Sequence, residues 1–215
     1  MSWPGYLRIC HWSESANTSP RAVECRPVAF SVLLDACVLY PVGVRDLLLS
    51  VAERGVYMPH WTEAILEEMT RNVVADGRAT AERVAAMRDQ MALAFPDALI
   101  EGYEPLVPSM TNDPKDRHVL AAAVRANIGL IVTDNLRDFP GAACAPYDIE
   151  TQTADEFLSY ALDQDPPAVV GAIRTMATKR RRPPTTPADL LAALSGPLPT
   201  FAGEAAPLLA SLVGD

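Results

Sequence analysis

Short apolar runs alternate with helical patterns over much of the sequence, and this alternation limits the folds that the chain can adopt. Residues 28–34 are almost continuously apolar, which is typical of a strand buried on both faces of a parallel sheet. Later strands are predicted at residues 56–58, 98–103, 130–133 and 147–151. Strands separated by helices form βαβ units, so the sequence predicts an α/β fold with a parallel sheet and helices on both faces.

The segments between these strands carry signals of helix ends. Thr62 is suited to cap a helix over residues 62–74, because a threonine hydroxyl accepts hydrogen bonds from free amides of the first turn. Asp113 and Pro114 are expected to open a helix over residues 113–126, with proline at its first position. Further helices are predicted at residues 45–52 and 79–93.

The sequence changes character after about Thr151, where only helical patterns remain. These helices are predicted at residues 154–162, 167–178 and 187–194 and, more weakly, after Phe201. The beginning of the chain mixes Trp, Ser, Pro and Arg without a period. We therefore expect three parts: a flexible N-terminal tail at residues 1–27, an α/β domain at residues 28–151 and a helical C-terminal extension at residues 152–215.

The cysteines and the net charge limit the class of protein. The cysteines form no CxxC pair, which argues against a disulfide framework or a thiolate zinc site and suits a cytoplasmic protein. No apolar run approaches the ~18–20 residues that a membrane-spanning helix needs. The net charge of −9 is unlike the basic surface of most nucleic-acid-binding proteins. It fits either a self-repelling acidic protein or one whose acids are grouped to hold cations.

Two carboxylates occupy positions where packing favours apolar side chains. Asp35 ends the first predicted strand, and in open parallel sheets the carboxyl ends of strands line the ligand crevice. The alternative for Asp35 is a cap on the following turn. Glu68 shares the inward helix face with Ile65, whereas Glu67 is expected to face solvent. Because burial of an unpaired carboxylate is costly, Glu68 needs either a cation or an arginine as a partner.

A third acid lies at the start of the helix predicted over residues 113–126. Asp116 is in line with Leu120 on the apolar face of that helix, whereas Asp113 is explained by a capping role. Arg117 and His118 are expected to point outward or to the rim, so a structural role is favoured for His118. Asp116 is therefore the better candidate for a functional carboxylate.

Polar residues also follow the predicted strand at residues 130–133, namely Thr133, Asp134, Asn135 and Asp138. An Asp or Asn here can ligate a metal directly or through water. The same segment can also be a simple turn, because Asp-Asn favours turns. Spacing alone does not rank Asp134, Asn135 and Asp138 as ligands.

These acids come from separate parts of the chain and are expected to meet in one crevice. Clustered carboxylates raise one another's pKa unless a cation neutralises them. A site made of oxygen ligands suits Mg²⁺ or Mn²⁺, and such an ion can activate a water for attack on a phosphodiester. The predicted catalytic residues are Asp35, Glu68 and Asp116, and the predicted metal ligands are Asp35, Glu68, Asp116, Asp134 and Asp138.

Four segments resemble the PIN-domain nuclease family, which includes the VapC-type toxins of bacterial toxin–antitoxin systems. They are LLDACVLYP (33–41), WTEAILEEMTRN (61–72), DPKDRHVLAAA (113–123) and IVTDNLRDFP (131–140). The resemblance implies a parallel sheet in the order 3-2-1-4-5, a quartet of acids that binds Mg²⁺ or Mn²⁺, and hydrolysis of RNA. It also implies a homodimer and an antitoxin protein as partner.

The chain departs from the family in its last motif. The resemblance carries the family's first three acids onto Asp35, Glu68 and Asp116. The usual last motif reads Thr, any residue, Asp, but Asn135 stands here in the place of that Asp. Asp134 precedes this position and Asp138 follows it, so the identity of the fourth ligand stays open.

Two other functions remain in competition. A phosphatase of the haloacid dehalogenase type needs an aspartate two residues after Asp35, where this chain has Cys37. A catalytically degenerate RNA-binding or regulatory module is favoured by the altered last motif. In a ribonuclease or in a degenerate RNA-binding module, RNA phosphates could be contacted by Lys179, Arg180, Arg181 and Arg182. The same stretch can instead be a solvated linker.

Overall fold

Four parallel strands form the sheet in the computed structural model, which describes residues 30–180 and 185–211. The strands are β1 (Phe30–Leu34), β2 (Tyr57–His60), β3 (Leu130–Val132) and β4 (Glu150–Gln152). Their order is β2-β1-β3-β4, and every neighbouring pair is parallel. The predicted N-terminal tail at residues 1–27 lies outside the described residues, as do Arg181 and Arg182.

Helices cover the sheet, so the predicted α/β fold class is confirmed. The first helices are α1 (Ala36–Leu39), α2 (Val42–Ala52), α3 (Glu63–Ala75), α4 (Ala81–Ala94) and α5 (Arg117–Ala126). The later helices are α6 (Gly141–Cys144), α7 (Ala154–Gln164), α8 (Pro166–Lys179), α9 (Pro187–Leu194) and α10 (Pro199–Ser211). Short 3₁₀ helices lie at Glu104–Ser109, Leu136–Asp138 and Ala145–Tyr147.

The strand order differs from the predicted order 3-2-1-4-5 in one detail, because the segment at residues 98–103 is not a strand. Only Leu99 pairs there, as an isolated parallel bridge to Trp61. Gly102 adopts a φ of +71°, a left-handed conformation that breaks an extended chain. The 3₁₀ helix at Glu104–Ser109 then leads the chain away from the sheet. The other four strands keep the predicted order with the third strand left out.

Helix α5 begins later than predicted, and this changes the setting of Asp116. The Asp113 carboxylate accepts a hydrogen bond from the Lys115 amide at 3.0 Å, and the Asp113 carbonyl accepts one from the Asp116 amide at 2.9 Å. Asp113 and Pro114 therefore belong to a turn before the helix. Asp116 is the N-cap residue of α5, but its carboxylate makes no capping hydrogen bond. The Asp116 carboxylate is therefore not used to cap the helix.

The helices after β4 pack on the core that covers the sheet. The Phe157 ring on α7 lies 4.8 Å from the Tyr57 ring on β2, with an edge-on angle of 87°. The Arg54 guanidinium, just after α2, donates to the Gly171 carbonyl at 2.7 Å and to the Thr175 hydroxyl at 2.8 Å. Within the described ranges, no helix is long and apolar enough to cross a bilayer.

Candidate active site

Asp35 lies at the carboxyl end of β1, where the sheet meets α1. Its amide donates to the Val132 carbonyl at 3.1 Å, which continues the pairing with β3. The residue is 3% exposed, and its carboxylate accepts from the Ala36 amide at 2.6 Å through Oδ1 and from the Thr133 hydroxyl at 2.7 Å through Oδ2. Asp35 thus caps α1, as one alternative predicted, and also joins the ends of two neighbouring strands.

Cys37 completes this hydrogen-bond arrangement, although no sequence signal marked it as a site residue. Its thiol donates to Asp35 Oδ2 at 3.2 Å and accepts from the Asp134 amide at 3.2 Å. Burial, followed by the charge of Asp35, raises the pKa of the Cys37 thiol to about 12. The thiol is therefore protonated and acts as a hydrogen-bond donor rather than as a nucleophile.

The two adjacent glutamates of α3 differ as the helix periodicity predicts. Glu68 is partly buried, whereas Glu67 is exposed. Ile65 and Met69, which flank Glu68 on the inward face, are fully buried. Among the described residues Glu68 has no arginine or lysine within ion-pair distance. The partner that its burial requires is therefore not a basic side chain in the described part of the chain.

The pKa of Asp116 depends on the acids that lie near it. Burial raises the pKa of its carboxyl to about 6, with further contributions from the negative charges of Asp35, Asp138, Glu68 and Asp113, in that order. These acids come from β1, α3, the turn before α5 and the segment after β3. Four separate parts of the chain therefore place acids around Asp116, beside Asp35 at the carboxyl end of β1, and the space that these acids face is called the crevice below.

The segment after β3 separates its two aspartates. Asp134 Oδ1 accepts a hydrogen bond from the Ala154 amide at 3.1 Å, so this carboxylate supports the first turn of α7. Asp138 instead raises the pKa of Asp116, and its only ion-pair partner within the described ranges is the exposed Arg137, at 3.5 Å from Nε to Oδ1. The backbone N–H of Asn135 donates to the Thr133 hydroxyl at 3.1 Å. Asp138 is thus the aspartate of this segment that faces the other acids.

His118 also faces the carboxylates, although the sequence placed it outward or at the rim. Burial lowers the pKa of its imidazole, while the charges of Glu68 and Asp35 act to raise it. Its Nδ1 is buried and has no hydrogen-bond partner among the described residues. Because Asp116 precedes the first helical turn, helix periodicity could not relate the directions of these two side chains.

The predicted RNA contacts lie away from this crevice where they are described. Lys179 forms an ion pair with Glu53 at 3.8 Å. Burial raises the pKa of Asp46, and the positive charges of Arg180 and Lys179 have a smaller effect in the opposite direction. Both basic residues therefore lie over α2.

The donor chemistry of the crevice fits a hard divalent cation. Its donors are carboxylate oxygens, and burial together with the neighbouring negative charges raises the pKa of Asp116. Across residues 30–180 and 185–211, however, no three His, Cys, Asp or Glu side chains form a complete metal-ligand group.

Comparison with known proteins shows which family the chain is related to. A family model described as a PIN domain matches residues 31–137. The chain belongs to the PIN-domain family. The resemblance found in the sequence is therefore confirmed. A second model, described as the VapC50 C-terminal domain, matches residues 154–207 of this PIN-domain protein.

One curated relative of this PIN-domain protein is "Putative ribonuclease VapC50" from Mycobacterium tuberculosis (strain ATCC 25618 / H37Rv). The two sequences are 44% identical over 110 residues, which is 51% of this chain. The aligned region spans 65% of the length of the relative. No solved structure matches the chain significantly.

Proposed function

We propose that this PIN-domain protein is a ribonuclease that hydrolyses RNA phosphodiester bonds with Mg²⁺ or Mn²⁺, and that it is the toxin of a type II toxin–antitoxin pair. The observation that carries the proposal is the convergence of Asp35, Glu68, Asp116 and Asp138, whose charges meet at the carboxyl of Asp116. The match to a PIN domain and the likeness to a relative named as a ribonuclease support the same function.

The proposed metal ligands are Asp35, Glu68 and Asp116, with Asp138 as the fourth acid. Asp138 is preferred to Asp134 because the Asp134 carboxylate already supports the start of α7 through the Ala154 amide. When bound, the ion would supply an activated water and stabilise the charge that develops on the phosphodiester. A bound cation would favour the ionised form of Asp116 and so oppose the effects of burial and of the neighbouring acids, which raise its pKa.

The side chains around these acids would orient them. Thr133 and the Ala36 amide hold the two oxygens of Asp35, so this carboxylate cannot rotate freely. Glu68 would face the site from α3, and Asp116 would face it from the start of α5. Without a cation these charges would repel the phosphates of an RNA backbone, so both binding and hydrolysis would depend on the metal.

The domain division and the partners are also proposals. Residues 28–151 would form the nuclease domain and residues 152–215 the helical extension. Lys179 and Arg180 are exposed enough to contact RNA beside α2, although Lys179 would have to leave Glu53. A cytoplasmic location, a homodimer and an antitoxin partner follow from cysteine usage and from the family.

RNA cleavage by the purified full chain tests the function directly. We expect cleavage in Mg²⁺ or Mn²⁺, its loss on addition of EDTA, and its loss in Asp35→Ala and Asp116→Ala. Cleavage that persists in EDTA or in both variants would contradict the proposal.

A catalytically degenerate RNA-binding module is the second candidate, because Asn135 replaces the last aspartate of the family motif. RNA binding that survives Asp35→Asn, together with no cleavage by the parent protein, would favour this module. Magnesium-dependent release of phosphate from a small phosphomonoester would instead favour a phosphatase.

A further inference from the structure

The thiol of Cys37 lies between the first carboxylate of the site and the segment that follows β3. Two hydrogen-bond paths run from consecutive amides of that segment to one oxygen of Asp35, and a contact of 3.3 Å between the Cys37 thiol and the Thr133 hydroxyl joins them. The Asp134 amide donates to the Cys37 thiol at 3.2 Å, and this thiol donates to Asp35 Oδ2 at 3.2 Å. The Asn135 amide donates to the Thr133 hydroxyl at 3.1 Å, and this hydroxyl donates to the same Oδ2 at 2.7 Å.

We propose that Cys37 is a positioning residue that fixes the Asp35 carboxylate against the segment carrying Asp134 and Asp138, and thereby sets the spacing of the acids. This inference rests on the proposed metal-dependent function. Cys37 does not touch the substrate in this role. It acts through Asp35 on one side and through the Asp134 amide on the other.

The contacts explain why a side chain that both donates and accepts is needed at this position. The Asp35 carboxylate requires a donor, and the Asp134 amide requires an acceptor. A thiol can do both, and a serine hydroxyl can do the same with a shorter bond to Cβ. Alanine can do neither, so the Asp134 amide would lose its side-chain acceptor to solvent and Oδ2 would keep the Thr133 hydroxyl as its one side-chain donor.

Loss of the thiol would affect the acids on both sides of it. Asp35 would keep its bonds to Ala36 and Thr133, so the fold of β1 and α1 would be preserved. The segment after β3 would lose one of its two links to Asp35 and keep the one through Thr133, so Asp138 would be held less firmly beside Asp116. Residues that orient metal ligands typically change metal affinity or activity about 10–100-fold when removed.

Cys144 offers a control, because among the described residues it is the other free cysteine, and it is buried where Cys37 is partly buried. Its thiol contacts the Phe139 carbonyl at 3.8 Å and no carboxylate among the described residues. Removing it tests the general effect of losing a buried thiol, without touching Asp35.

The test is Mn²⁺ binding to the full chain, measured by electron paramagnetic resonance, together with RNA cleavage at varied Mn²⁺ concentration. For Cys37→Ala we expect Mn²⁺ affinity about 10-fold weaker and a similar rise in the Mn²⁺ concentration for half-maximal cleavage. The KM for RNA at saturating Mn²⁺ should change little. Cys37→Ser should recover most of the affinity, and Cys144→Ala should bind Mn²⁺ like the parent.

Parent-like Mn²⁺ binding by Cys37→Ala would overturn the positioning role while leaving the ribonuclease proposal intact. Equal losses in Cys37→Ala and Cys37→Ser would also overturn it, because the effect would then come from packing. A parent protein that binds Mn²⁺ but cleaves no RNA would remove the ribonuclease proposal and leave the binding test of Cys37 valid.

A second measurement keeps the inference open to refutation if Cys37→Ala does not fold. The S–H stretching band that Cys37→Ser removes should lie at a lower frequency than that of a free thiol, because the thiol donates to a carboxylate. Asp35→Asn should move this band to a higher frequency. A band that lies at the free-thiol frequency and does not shift in Asp35→Asn would contradict the proposed contact.

Discussion

Charged side chains have hydrogen-bond partners where the C-terminal helices pack, whereas some carboxylates in the crevice at the strand ends have none among the described residues. At the junction with the C-terminal helices, Arg54 bonds to the Gly171 carbonyl and the Thr175 hydroxyl. Within the C-terminal helices, Asp155 on α7 accepts from the backbone amides at the start of α10 at 2.9 and 3.1 Å. In the crevice, the carboxylates of Glu68 and Asp116 have no hydrogen-bonding partner in the described part of the chain. Charges that have partners stabilise a fold, and charges that lack them mark a place for a ligand.

The largest difference should appear between neighbouring residues of α3. Glu68→Ala removes a carboxylate that faces the crevice, so we expect RNA cleavage to fall about 100-fold or more. Glu67→Ala removes an exposed carboxylate and should keep cleavage within about twofold, with thermal stability unchanged. Initial rates of cleavage of a labelled RNA in Mn²⁺ provide the measurement. An inactive Glu67→Ala beside an active Glu68→Ala would reverse the helix faces.

The two aspartates after β3 should separate function from stability. Asp138→Ala should weaken cleavage about 10-fold or more, because it removes an acid beside Asp116. Asp134→Ala should lower the free energy of unfolding by about 1 kcal/mol, because it removes the acceptor for the Ala154 amide. Cleavage rates and urea unfolding of both variants test the distinction. If Asp134→Ala loses cleavage while Asp138→Ala keeps it, the preferred fourth acid is wrong.

At the junction, Gly171→Ala should reduce stability without affecting the crevice. A Cβ at this position would lie 2.5 Å from Arg54 Nη1, so the guanidinium would have to move and lose its two acceptors. We expect a loss of about 1–2 kcal/mol in the free energy of unfolding, with Mn²⁺ binding unchanged. Arg54→Ala is the matched variant, and it should show a loss of similar size that does not add to that of Gly171→Ala. Full additivity in the double variant would contradict the shared contact.

The smallest predicted effect has the opposite sign. The pKa of Asp116 is about 6 in the folded protein and 3.8 in its ordinary state, so the folded protein holds this proton more tightly. Ionisation of Asp116 therefore reduces stability as the pH rises through this interval, and the cost is complete above it. In EDTA, Asp116→Asn should melt a few degrees higher than the parent at neutral pH, with little difference at pH 4. A lower melting temperature at neutral pH would indicate a structural hydrogen bond instead.

Much of the fold could be predicted because local patterns and tertiary packing agree. The apolar run before Asp35 forms β1, and the Thr62 hydroxyl caps α3 by accepting from the Ile65 amide at 3.2 Å. Helix periodicity alone separated Glu68 from Glu67, since the inward stripe of α3 is set by residues three and four apart.

One error has a local cause, and the other two depend on contacts between residues far apart in the sequence. The segment at residues 98–103 reads as a strand, but its pairing stops at Leu99 because Gly102 turns the chain. The sequence could not rank Asp134 against Asp138, because the partner of Asp134 lies 20 residues later at the start of α7. Cys37 was overlooked as a site residue because its role depends on the Asp134 amide, 97 positions away.

The central claim is that acids from distant parts of the chain share one divalent cation. Titration of Mn²⁺ into the full chain, followed by electron paramagnetic resonance, tests it most directly. We predict saturable binding by the parent and by Glu67→Ala, and strong weakening in Glu68→Ala and Asp116→Ala. A parent that shows no saturable binding, or equal binding by all four proteins, would contradict the claim.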